Sequence, residues 1–98
     1  MFWSDWDAGV GGGRWSGAAV LAEYICGAPA HALRGVPGGL PCARVLELGA
    51  GTGLCGIALA AAGAAHVLVT DVRPAVPLMA ANCALNALPN ACAAPLDW

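Results

Sequence analysis

There is no lysine in this chain, and its four arginines face six acidic residues for a formal net charge of -2. That balance offers no basic stripe to neutralise phosphates, so nucleic acid and anionic membrane surfaces are excluded as expected partners. Charge of either sign is scarce: 10% of residues are charged and 59% are hydrophobic. So few polar side chains cannot cover the outside of a small domain, and a further surface that buries part of this one is expected. Long apolar runs are missing as well. The charge-free stretch Leu54 to Ala65 has about a dozen residues, short of the ~20 that cross a bilayer, and is read as a buried helix.

The cysteines lack partners. Cys26, Cys42, Cys55, Cys83 and Cys92 are odd in number and no two stand in C-x-x-C spacing. Free thiols serving as small hydrophobes are expected, with no metal site. His31 and His66 have no Cys or carboxylate at ligand spacing in the sequence and are read as structural. The start "MFWSDWDAG" carries Asp5 and Asp7 with no basic residue before Arg14, unlike a secretory or transit peptide. The expected compartment is the cytoplasm, with the nucleus as alternative.

Residues 1–13 end in "GVGGG" and are read as a flexible segment whose Phe2, Trp3 and Trp6 are available to dock. Residues 14–98 are read as the folded unit. In "RWSGAAVLAEYICG", Ala18, Leu21, Ala22 and Ile25 recur at helical spacing before Gly27, predicting a helix over about 16–26. "GAPAHALRGVPGGLPCA" reads as a connecting loop.

"ARVLELG" then predicts a buried strand, Gly53 to about Gly63 a helix, "HVLVTD" a second strand and Pro74 to about Leu85 a second helix. "NACAAPLDW" leads into a third strand. Strands alternating with helices of this length predict βαβ units and a parallel sheet. Within the second helix Asn82 and Asn86 share a face; Asn82 is read as a surface polar group and Asn86 as a helix terminus.

The chemistry concentrates in "VLELGAGTGLCG". Gly49, Gly51 and Gly53 allow a ligand to approach the backbone, and the helix behind them presents N–H groups to an anion. A pyrophosphate and the carboxylate of S-adenosylmethionine both suit such a loop. Gly51, Gly53 and Gly56 even satisfy the dinucleotide pattern G-x-G-x-x-G. Asp71, closing "VLVTD", is placed to accept the ribose hydroxyls of either ligand, or to cap the helix that follows.

Three features favour S-adenosylmethionine. Glu47, just ahead of the loop, would repel a pyrophosphate and help neutralise an ammonium group. More than forty residues precede the first strand, whereas a nicotinamide domain often begins close to it. The closing "PLDW" sets an aromatic residue where an adenine can stack.

Taken in order, "GRWSGAAVLAEYI", "VLELGAGTGLCGIALAAAGAAHVLVTD", "NCALN" and "LDW" resemble the N-terminal, cofactor-binding half of the seven-strand (class I) S-adenosylmethionine-dependent protein lysine methyltransferases. The resemblance implies a Rossmann-like parallel sheet of that type, cut after about three strands, with an N-terminal helix. By position it implies that Trp15 closes over the methionine end, that Gly49, Ala50 and Gly51 form the loop floor with Gly53 beside them, that Asp71 holds the ribose and that Trp98 flanks the adenine. Glu47 and Asp97 are secondary members of that set.

The same resemblance implies a fourth strand beside "RVLELG" and an acidic-aromatic motif near the target amine, neither of which the sequence contains. No catalytic residue is therefore assigned. The implied partners are a protein substrate and a second chain that completes the sheet. Two other readings are carried forward: the NAD(P)-binding half of an oxidoreductase, and a non-enzymatic interaction fragment.

Overall fold

Why does the chain cross from helix to strand where it does? The computed structural model describes residues 16–98. Helix α1, Ser16–Gly27, forms where its spacing predicts and buries Ala22, whereas Leu21 of the same apolar pattern is exposed. The segment read as a loop is partly helical: α2 spans Pro29–Ala32 and a 3-10 turn spans Leu40–Cys42. In both, a proline occupies the first turn, where its missing N–H is not needed and its fixed φ suits a helix. Residues 1–13 and Trp15 lie outside the described residues.

Strand β1, Arg44–Glu47, pairs in parallel with β2, His66–Asp71, in the register Val45 to Val67 and Glu47 to Val69. Strand β3, Ala91–Pro95, pairs in parallel with the other edge of β2. The order β1-β2-β3 makes "HVLVTD" the central strand, and β-branched residues suit that place. Val67 and Val69 have no exposed surface.

Helix α3, Leu54–Ala61, joins β1 to β2, and α4, Val76–Leu85, joins β2 to β3. Two right-handed crossovers stepping the same way along the sheet put both helices on one face. Ile57 of α3 and Met79 of α4 meet Val67 and Val69 in one core. Helix α1 lies against α3 on this same side. On strand β1 the alternation turns Glu47 toward α3 and Leu46 to the opposite face, where Leu46 is 56% exposed. The fold is the expected Rossmann-like α/β arrangement. Among the described residues β1 pairs only with β2, and no helix is long and apolar enough to cross a membrane.

The second crossover departs from expectation. Arg73–Ala75 is a 3-10 turn and the α-helix begins only at Val76. Pro77 explains the shift: it has no N–H to reach the Arg73 carbonyl, which accepts instead from Val76 one residue earlier. Helix α3 is shorter than read, ending at Ala61 ahead of the left-handed Gly63.

Candidate functional site

All three strands end on the same side of the molecule, and the glycine loop 48–53 runs across that end. The loop is tied down backbone group by backbone group. The Ala50 N–H donates to the Thr70 carbonyl at 2.9 Å and the Gly53 N–H to the Ala50 carbonyl at 2.8 Å. The Gly51 N–H donates to Oδ2 of Asp71 at 2.8 Å. Gly49, Gly51 and Gly53 have φ of 63, 59 and 83°, a left-handed conformation that other residues adopt at a cost of roughly 1–2 kcal/mol. Alternation of these with Ala50 and Thr52 folds the loop back on itself, and Thr52 is 3% exposed.

Glu47 lies beneath. Its Oε2 accepts the Gly56 N–H at 2.7 Å, so one N–H of the first turn of α3 is satisfied by a carboxylate from this chain. At the helix end expected to face a ligand anion, the Gly56 position nearest the sheet thus carries a negative group of the chain itself. Burial pushes the Glu47 carboxyl above its ordinary value, the Gly56 N–H opposes that rise and the charge of Asp71 adds to it. The Thr70 hydroxyl donates to the Glu47 carbonyl at 2.6 Å and fixes the strand end.

Asp71 does not cap the following helix. Its Oδ2 holds Gly51 and its Oδ1 accepts the Val72 N–H at 2.7 Å, while Val72 and Ala75 stand at the cap positions. Each oxygen thus uses one of its two lone-pair directions on the protein, which leaves acceptor capacity for two further donors.

Asn82 is likewise corrected. Far from being a surface group, it has no exposed surface, and its Nδ2 donates to the Thr52 carbonyl at 2.9 Å. Asn86 sits at the end of α4 as read, its Nδ2 donating to the Asn82 carbonyl at 2.8 Å. A signal for Asn82 was available in the sequence: Met79 and Cys83, three residues before it and one after, put it on the buried stripe of an amphipathic helix.

The structure therefore brings Glu47, Gly49, Ala50, Gly51, Gly53 and Asp71 together, and adds Thr52, Thr70 and Asn82. Strand β3 ends beside them, with the Leu96 N–H donating to the Asp71 carbonyl at 2.9 Å. Asp97 is exposed just beyond, and Trp98 is 82% exposed. The five cysteines are free. His66, which has no Cys at ligand spacing in the sequence, has Cys92 Sγ 3.8 Å from its Nε2, because β3 lies beside β2. His31 packs edge-on against Tyr24, with ring centroids 6.2 Å apart. Among the described residues no group of three or more His, Cys, Asp or Glu could hold a metal ion.

A parallel sheet with a glycine loop and an acidic residue at its carboxyl end defines a Rossmann-like α/β fold. A family model described as lysine methyltransferase matches residues 1–98. The chain belongs to that family.

Proposed function

We propose that this chain binds S-adenosylmethionine and serves a protein-lysine N-methyltransferase. The observation that carries the reading is the placement of two carboxylates around the loop. Glu47 occupies the end of α3 that a pyrophosphate would need, and its negative charge suits the ammonium of an amino-acid cofactor. Asp71 keeps acceptor capacity for a ribose diol while holding Gly51. That combination favours S-adenosylmethionine over NAD(P), although Gly51, Gly53 and Gly56 fit the dinucleotide pattern.

When bound, S-adenosylmethionine supplies an electrophilic methyl group. The residues of this chain bind and orient: Asp71 at the ribose, the backbone of Gly49, Ala50 and Gly51 at the methionine end, and Glu47 as the counter-charge. Trp98, exposed at the same end of the sheet, is assigned to the adenine, and Trp15 is carried from the family resemblance. Acceptance of the lysine and removal of its proton are assigned to residues outside this set. A protein substrate is the proposed partner. Among the described residues the far edge of β1 is unpaired, which suits a further strand there, and the exposed Leu46 suits a layer that covers the outer face.

Calorimetric titration with S-adenosylhomocysteine, with NADH in parallel, tests this reading. Saturable binding of the former, weakened about 10- to 100-fold in Asp71→Ala through the loss of charge-assisted hydrogen bonds, is expected. Preference for NADH, or no binding by the folded chain, would reject it.

A further inference from the structure

The Thr52–Gly53 peptide is held at both ends. Its carbonyl accepts from Asn82 Nδ2 at 2.9 Å and its N–H donates to the Ala50 carbonyl at 2.8 Å. A peptide group flanked by glycine is the kind that can turn over, because Gly53 tolerates positive and negative φ almost equally. The residue that permits the turn therefore does not by itself choose the carbonyl direction. Two contacts choose it: the Ala50 carbonyl within the loop takes the N–H, and a contact from outside the loop takes the carbonyl.

Asn82 is that contact. It is fully buried on the second crossover helix among Met79 and Cys83, where an apolar side chain would pack without an amide to satisfy. Asparagine is also a poorer helix former than leucine or methionine. An asparagine at such a place gives up helix propensity and apolar packing for directed hydrogen bonding, which includes the bond to the Thr52 carbonyl of the loop. The geometry couples it to Asp71. Strand end and following helix together hold two consecutive loop residues, Asp71 the N–H of Gly51 and Asn82 the carbonyl of Thr52.

We infer that Asn82 is a positioning residue for the cofactor: it selects the bound orientation of the glycine loop from the helix behind it, without touching the ligand. The inference rests on the S-adenosylmethionine reading above and deepens it.

The test is S-adenosylhomocysteine titration of the full chain as wild type, Asn82→Leu and Asn82→Asp, with amide hydrogen exchange at Thr52 and Gly53. Asn82→Leu keeps size and removes the donor. The expected result is an affinity lowered about 3- to 10-fold for the folded fraction, the worth of one net hydrogen bond, with faster exchange confined to the loop. Asn82→Asp adds a signature that packing alone does not produce. Its introduced carboxyl donates to the Thr52 carbonyl only while protonated, so its affinity relative to wild type at the same pH should recover as pH falls. It also serves if Asn82→Leu fails to fold.

Wild-type binding with unchanged affinity in the folded variants, or no recovery at low pH, would overturn the positioning role and leave the cofactor reading standing. Absence of binding in folded wild type would overturn both.

Discussion

The Glu47 carboxylate and the Gly56 backbone occupy each other's only room: Oε2 accepts the Gly56 N–H at 2.7 Å, and a Cβ on Gly56 would lie 2.7 Å from that same oxygen. The same Cβ would also lie 2.4 Å from Cγ1 of Val69. Gly56 is thus required by close approach of α3 to the sheet as well as by the carboxylate that caps it. Gly56→Ala is expected to destabilise the fold by about 1–3 kcal/mol through overpacking. Urea denaturation measures it, and a midpoint equal to wild type would contradict the packing described.

Glu47 also makes stability depend on pH. Its carboxyl is raised above the ordinary 4.5 chiefly by burial, so the folded state binds that proton more tightly than the unfolded chain. The associated stability is fully present below about 4.5 and is lost as pH rises through the higher folded value. Glu47→Gln keeps an acceptor for Gly56 and removes the charge. Urea midpoints followed upward from acid should decline in the wild type with a component absent from the variant.

Much of this architecture was legible in the sequence because it rests on local signals. The run "VLELGAGTGLCG" showed a strand, a glycine loop and a helix start without any long-range information. Asn82 was misread because its surroundings are set by tertiary contact: its partner Thr52 is thirty residues away in sequence. The role of Asp71 was divided between ligand and helix cap. The structure removes the cap, since Pro77 displaces the helix start and the carboxylate turns back to Gly51. The bond from the Gly56 N–H to Glu47 is not legible either, as side-chain capping from a preceding strand leaves no periodic trace.

Alanine 87 is the one non-glycine residue described with a positive φ, 49°, directly after Asn86 closes α4. Glycine is the usual occupant of that position. Ala87→Gly should stabilise the chain by about 0.5–1 kcal/mol, the relieved left-handed strain exceeding the added freedom of the unfolded state. Thermal or urea unfolding provides the check, and a loss of stability would mean that entropy outweighs strain there.

Thiol reactivity follows burial. Cys55 is buried, and desolvation, with the nearby Glu47 and Cys26, pushes its thiol up to about 11; burial also raises Cys83. Cys42 and Cys92 are exposed. Brief alkylation of the native chain near pH 8 should label Cys42 and Cys92 and spare Cys55 and Cys83, read by peptide mass spectrometry. Prompt labelling of Cys55 would show that α3 leaves the sheet easily.

The proposed cofactor and the raised Glu47 carboxyl make a joint prediction about protons. An ammonium group beside Glu47 favours its ionised form, so its proton affinity falls on binding. Above about 4.5, where the free chain still holds part of that proton, binding must release it, and affinity must rise with pH across the same window. Calorimetry of S-adenosylhomocysteine in buffers of different ionisation heat measures the released fraction directly. Glu47→Gln should abolish the buffer dependence while Asp71→Ala, which acts at the ribose, retains it at weakened affinity. Equal release from wild type and Glu47→Gln would place the ammonium elsewhere and remove Glu47 from the site.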